Sequence, residues 1–246
     1  VLTVGVIGAR GNLGTLACDA LRGADDLRLG AEIGRGDPLG ALQGCDVAVD
    51  VTEPGVVMDH ISWCIDHGVH IVVGTSGFTE ERLNVVRARL GQSAEVGVLV
   101  VPNFSIGAVL MMRQAGEAAA FFESVEIVEM HHPDKLDAPS GTALRTSAMV
   151  AAARGRAGRG DAPDATRTDD LGARGGRSEG VSVHSLRVRG AVAHQEVVLG
   201  NAGEILTIRH DMVDRIAAIP GLLASVRAVP RLPGLTVGLE PVLGLK

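Results

Sequence analysis

The chain has 246 residues and a formal net charge of −6, and 46% of it is hydrophobic, enough for a large packed core and too much for global disorder. The acidic balance and an aromatic content of only 2% argue against a nucleic-acid partner, which calls for cations against phosphates and rings against bases. Three Cys without a Cys-x-x-Cys pair indicate neither a disulfide framework nor a zinc knuckle, and no apolar run is long enough to span a membrane, so a soluble cytoplasmic protein is expected.

The first half alternates short apolar runs with helix patterns. Strands are predicted over Leu2–Ile7, Leu27–Ile33, Asp46–Val51, His70–Val73 and Val96–Val101. Helices are predicted over Leu13–Leu21, Val56–Asp66 and Thr79–Leu90. Strands that are apolar throughout and alternate with helices indicate a parallel sheet covered on both faces. The second half differs. A helix is predicted over Ile106–Phe121, a strand over Val125–Met130 and a helix over Thr142–Ala153. Residues Arg154–Arg177 carry six Arg and four Asp with little apolar periodicity and read as a long surface loop. Val181–Val188, Ala191–Leu199 and Glu204–His210 read as an antiparallel meander. A helix over Arg215–Arg227 and an apolar element at Leu235-Thr236-Val237 follow.

Gly8-Ala9-Arg10-Gly11-Asn12-Leu13-Gly14 lies between a strand and a helix. A Gly-rich turn there lets the backbone approach a pyrophosphate at a helix N-terminus. Dinucleotide binding and a bare tight turn are the two readings. The second strand should end in the residue that meets the ribose, where an acid favours NAD and an Arg favours the 2′-phosphate of NADP. Gly34 stands at that tip, which removes an acid. Arg35 follows it, either facing a phosphate or solvated in the loop.

The densest polar stretch is Glu129-Met130-His131-His132-Pro133-Asp134-Lys135-Leu136-Asp137-Ala138-Pro139-Ser140-Gly141-Thr142. Adjacent imidazoles on an extended chain point to opposite sides, and the nearby acids have no familiar ligand spacing, so no metal is expected. Acid–base work by His at neutral pH fits better. Lys135 supplies a positive charge. Ser140-Gly141-Thr142 before a helix offers hydroxyls and free N–H groups to a carboxylate, or simply caps the helix.

Residues Glu129–Ala143 resemble the signature of the dihydrodipicolinate reductase family, Glu-x-His-His-x-x-Lys-x-Asp-Ala-Pro-Ser-Gly-Thr-Ala, at every fixed position. Gly8–Gly14 resembles the family's Gly-rich loop. Gly74-Thr75-Ser76-Gly77 resembles its Gly-Thr-Thr-Gly turn, with Ser76 in place of Thr, and Pro102-Asn103-Phe104-Ser105 resembles its Pro-Asn-Phe-Ser stretch. The short length is similar to the actinobacterial branch. The resemblance implies an NAD(P)H-dependent reduction of a cyclic dicarboxylate that serves diaminopimelate and lysine synthesis. It implies His131 as acid–base residue, Lys135 as proton donor, and His132, Ser140, Gly141 and Thr142 around the substrate. It implies a cofactor across Gly8–Leu13, Gly34, Arg35, Gly74–Ser76 and Val101, Pro102, Asn103 and Phe104. Both NADPH and NADH are expected, with a modest lean to NADPH. The implied fold is a Rossmann-like parallel-sheet nucleotide domain, residues 1–105 plus 215–246. Inserted in it is an α+β domain, residues 106–214, for substrate binding and assembly into a homotetramer. A catalytically inactive nucleotide-binding regulator and a related two-domain amino-acid dehydrogenase are the alternatives. Retention of both His131 and Lys135 speaks against the first, and the complete signature against the second.

Overall fold

The computed structural model describes residues 1–91 and 95–245. The chain forms two units, residues 1–106 with 216–246 and residues 107–215. Among the described residues, no helix is long and apolar enough to cross a membrane.

The first unit is a six-stranded parallel sheet. Its strands are β1 (Leu2–Ile7), β2 (Leu27–Ile33), β3 (Val47–Asp50), β4 (His70–Val73), β5 (Gly97–Val100) and, from the chain's far end, β11 (Gly234–Val237). They lie in the order β11-β5-β4-β3-β1-β2. β3 is buried at all four positions and β1 at five of six, as strands covered on both faces must be. Helices α1 (Asn12–Arg22), α2 (Val57–Asp66) and α3 (Glu80–Leu90) are the crossovers. α1 buries Gly14, Ala17, Cys18 and Leu21, an i, i+3, i+4, i+7 stripe. Thr79 caps α3, with Glu80 and Glu81 in its first turn and Arg87 and Arg89 in its last, each charge placed to suit the helix dipole. The helix predicted from Arg215 begins as a 3₁₀ turn at Arg215–Ala218 before α6 (Ile219–Ala228). Arg227 of α6 makes a bidentate pair with Asp26, both contacts at 2.8 Å, so the late segment is pinned to the start of β2.

The second unit has α4 (Ile106–Ala119), β6 (Ser124–His131), α5 (Gly141–Arg156), β7 (Gly176–Ser178), β8 (Val181–Arg187), β9 (Ala193–Asn201) and β10 (Glu204–Met212). Its sheet order is β10-β9-β6-β8-β7. Alternate residues of β6 and β9, including Val125, Ile127, Val197 and Leu199, are buried, while Glu126, Val128, Glu196 and Val198 on the other face are only half-buried.

The structure departs from expectation at three places. Val181–His210 is not a meander, because β6 lies between β8 and β9, antiparallel to β9 and parallel to β8. The parallel pair arises because α5 carries the chain back over the sheet as a crossover. The chain then leaves β8 at Val188, whose N–H donates to the His131 carbonyl at 2.9 Å, and passes the end of β6 to reach β9. Secondly, α4 stops at Ala119, two residues early. Thirdly, the stretch Arg154–Arg177 is not all surface loop: α5 runs to Arg156, and β7 starts at Gly176. Arg154 is buried, its guanidinium donating to the carbonyls of Phe122, Glu123 and Gly160 at 2.7, 3.0 and 2.8 Å. Arg159 donates to Ala120 and Phe121 at 3.0 and 3.1 Å. The two cations answer the carbonyls that follow the end of α4.

Candidate active site

In the first unit the turn after β1 folds back on β2. The Gly8 and Ala9 amides donate to the Ile33 carbonyl at 2.8 and 3.1 Å. Gly8 has φ +88°, a left-handed conformation that suits Gly. A Cβ on Gly14 would lie 2.0 Å from the Gly8 oxygen, so only Gly lets α1 start this close to the turn. The helix is preceded by Gly11, whose missing side chain leaves the first-turn amides without a side-chain cap, next to the exposed Asn12 and half-buried Leu13.

A cleft of about 420 Å³ opens here, lined by Gly8, Arg10, Gly11, Gly34 and Arg35 and also by Asp37, Thr52, Glu53 and His60. Arg10 pairs with Asp37 at 3.0 Å, and Asp37 also accepts from the Gly34 N–H at 2.8 Å. A Cβ on Gly34 would meet the Arg10 guanidinium at 2.7 Å. Arg35 is 90% exposed and lies 3.5 Å from Glu53. Glu32 is drawn away by Arg22, at 2.5 Å.

Asp50, at the end of β3, organises the neighbouring edge and was not singled out by sequence. It is fully buried. Its Oδ1 accepts from the Thr75 and Thr52 hydroxyls at 2.6 and 2.8 Å and from the Thr52 N–H at 3.1 Å. Its Oδ2 lies 2.6 Å from His60 Nδ1. Thr75 is thus turned inward, Ser76 is exposed, and Gly74 accommodates the Phe104 ring, which a Cβ would meet at 2.4 Å. Val101 is buried and its N–H donates to Val73 at 2.8 Å, Pro102 is exposed, and the Asn103 side chain accepts from the Ser105 N–H at 2.8 Å.

In the second unit Glu129 and His131 share a face of β6 by strand alternation. Glu129 is fully buried. Its carboxylate lies 2.5 Å from His131 Nδ1 and receives both Arg187 Nη atoms at 3.0 and 3.1 Å. Burial pushes the Glu129 carboxyl up, but the bonds from Arg187, Ser185 and His131 outweigh it and hold the group below the usual carboxylate range. For His131 burial lowers the pKa, Glu129 opposes this, and Lys135 and Arg187 add to it, leaving the imidazole below its ordinary value. Lys135 pairs with Asp137 at 2.7 Å and holds that carboxyl low. His132 is partly exposed, with Nδ1 4.0 Å from Asp134. Ser140 caps α5, its hydroxyl accepting from the Ala143 N–H at 3.2 Å and its own N–H directed to Glu129 at 3.3 Å. Gly141 is exposed and Thr142 half-buried at the first turn. Behind them Thr146 donates to the Thr142 carbonyl at 2.8 Å and accepts from Gln195 at 2.6 Å. A buried carboxylate, an imidazole, an ammonium and a helix N-terminus suit proton transfer on an anionic substrate.

Sequence reasoning quoted Glu129 within the signature but gave it no role, and it missed Arg187 and His60. Glu129 carries a signal in the sequence, two residues before His131 and therefore on its face. Arg187 carries none, since it is 58 positions away and is brought in by the β6–β8 register.

Two family profiles match the chain, "Dihydrodipicolinate reductase, N-terminus" over residues 2–104 and "Dihydrodipicolinate reductase, C-terminus" over residues 107–243. The 4-hydroxy-tetrahydrodipicolinate reductase of Nocardia farcinica is 55% identical over 246 residues, covering 99% of either chain. Among solved structures, dipicolinate-bound dihydrodipicolinate reductase from Paenisporosarcina sp. TG-14 has a TM-score of 0.85 at 34% identity, over 98% of this chain and 99% of that one. An amine dehydrogenase from Mycobacterium smegmatis, at TM-score 0.62 and 13% identity over 96% and 94%, shares the fold alone.

The Asp50 network yields a stability prediction. Asp50→Asn removes the charge that three donors and His60 share. It should destabilise the protein by about 2–4 kcal/mol, the scale of a broken buried polar network. Asp25→Asn, at an exposed site, should stay within about 0.5 kcal/mol. Denaturant unfolding of both variants checks this, and equal midpoints would refute it.

Proposed function

The chain belongs to the dihydrodipicolinate reductase family, and on that premise we propose that it reduces 4-hydroxy-tetrahydrodipicolinate to tetrahydrodipicolinate with NAD(P)H, in diaminopimelate and lysine biosynthesis. The observation that carries the reading is the Glu129–His131 pair beside Lys135, at the start of a helix whose first turn suits a carboxylate.

The first unit is the dinucleotide-binding domain in this reading. Its residues fit such a cofactor: the cleft is about 420 Å³, Gly34 puts no side chain into it, and Gly11 leaves the first amides of α1 uncapped. When bound, the reduced nicotinamide supplies the hydride. The second unit is the substrate domain. Gly141 and Thr142 amides, the Thr142 hydroxyl and His132 hold the substrate carboxylates, while Ser140 sets the start of the helix. Substrate and product differ by a hydroxyl, so the reaction releases water, takes up a hydride and consumes a proton. Lys135 delivers the proton, and His131, whose pKa burial lowers, serves the acid–base exchange beside it. A binding-only regulator would need neither side chain. The cytoplasm suits an enzyme that draws on NAD(P)H and keeps Cys18, Cys45 and Cys64 as buried thiols.

The open face of the five-stranded sheet carries Leu186 and Ile205, both exposed, among half-buried Val128, Met130 and Val198. The same face also carries the ion pairs of Glu126 with His184 and of Glu196 with Arg209, and this mixed apolar and charged surface supports assembly into a homotetramer through the second unit.

Three measurements test these proposals. His131→Ala and Lys135→Ala should each lower turnover about 10²–10⁴-fold without loss of fold. Near-normal turnover in a folded variant would remove the role given to that residue. Light scattering should give four chain masses, and a monomer at micromolar concentration would reject the assembly. The cofactor preference should be a modest lean to NADPH, because Arg10 and the exposed Arg35 line the cleft and would meet a 2′-phosphate there. Gly34→Asp would set a carboxylate against Arg10. It should raise the NADPH Michaelis constant about tenfold relative to that of NADH. An unchanged ratio would show that Arg10 does not read the 2′-phosphate.

A further inference from the structure

Glu129 has no route to water, so every donor that reaches it counts. Oε2 takes His131 Nδ1 at 2.5 Å and Arg187 Nη1 at 3.0 Å, Oε1 takes Arg187 Nη2 at 3.1 Å and the Ser140 N–H at 3.3 Å, and the Ser185 hydroxyl adds a further bond to the carboxylate. An ionised carboxylate only accepts. The proton on the His131 ring therefore sits on Nδ1, and Nε2 is left as the nitrogen that can exchange one. Arg187 is fixed in turn. It stands opposite His131 in the β6–β8 register, and its Nη2 also donates to the Asp137 carbonyl at 2.7 Å.

We propose that Glu129 and Arg187 are a positioning pair for His131, in which Glu129 selects the Nδ1–H tautomer and Arg187 keeps Glu129 ionised and in place. Glu129 is sealed from any ligand and acts through the imidazole. This rests on the reading of His131 as the acid–base group. The charged groups that face His131 are Glu129 on its own strand, Arg187 on β8, and Lys135 with its partner Asp137 on the loop that leads to α5. Glu129, which contacts the ring, and Asp137 attract the proton, whereas Arg187 and Lys135 repel it. The geometry thus defines both which nitrogen exchanges and the sign of any shift when one member is removed.

Histidine side-chain ¹⁵N NMR of the whole enzyme reads the tautomer, with the His131 signals assigned by their loss in His131→Asn. In wild type, Nδ1 should be the protonated nitrogen and Nε2 the bare one. A protonated Nε2 in wild type would overturn the proposal without any variant. Glu129→Gln offers an amide N–H toward Nδ1 and should move the ring proton to Nε2. In that variant kcat should fall at least about tenfold. The Michaelis constants should change less than about twofold. The limb of the pH profile that reports His131 should shift to lower pH, since the attracting charge in contact with the ring is gone while Arg187 and Lys135 remain. Arg187→Lys should preserve the tautomer and most of kcat better than Arg187→Met. An unaltered tautomer in folded Glu129→Gln would overturn the positioning role. A moved proton with unchanged kcat would uphold the tautomer selection and instead refute the acid–base reading of His131.

Discussion

A carboxylate sealed from water must have its lone pairs answered by donors, or it does not stay ionised. Each unit of this chain is arranged around one such group. Asp50 gathers the loop after β3, the turn after β4 and helix α2 through Thr52, Thr75 and His60. Glu129 gathers β6, β8 and the start of α5 through His131, Arg187 and Ser140. In both cases one oxygen holds the Nδ1 of a histidine and leaves Nε2 for other use. The buried charge is thus a condition on three segments at once, and the loops that carry function inherit their positions from it.

The two units also repeat one construction. β1 runs into a turn and then α1, and β6 runs into a turn and then α5, so each helix N-terminus opens at the C-terminal end of a parallel strand. That end of a helix favours anions. The difference lies in the cap. α1 follows Gly11, with no side chain to occupy its first amides, which suits a ligand that approaches the backbone itself. α5 follows Ser140, whose hydroxyl takes the Ala143 N–H, with Gly141 exposed at the start of the helix. Close backbone approach and a capped, side-chain-lined turn are two ways of presenting a helix N-terminus.

The sequence was most informative where local rules act alone. Fully apolar strands, the Gly-rich turn and the alternation of Glu129 and His131 follow from spacing, and the signature from Glu129 to Ala143 was legible by resemblance. It was uninformative where distant segments meet. Nothing near Val181–His210 says that β6 will enter between β8 and β9, because neighbours in sequence usually do pair. The Arg154 side chain looked like one more cation in a charged loop until the carbonyls after α4 gave it three acceptors. Asp50 read as one more residue of the Asp46–Val51 strand, since its partners Thr75 and His60 come from other elements.

Burial separates the properties of this protein that are hard to alter from those that are soft. Around the cleft of the first unit, Arg10 with Asp37 and Arg35 with Glu53 are surface pairs, and Glu32 is engaged elsewhere by Arg22. Exposed pairs contribute about 0–1 kcal/mol and weaken with salt. A cofactor lean set by such charges is graded, and one substitution at the rim, where Gly34 lies under Arg10, redistributes it. Glu129 and Asp50 sit where water cannot compensate a lost partner, so changing either disturbs several donors together. On the proposed reading of the two sites, selection between NADPH and NADH drifts at the rim while the His131 site stays fixed, because the two rest on charges in opposite dielectric surroundings.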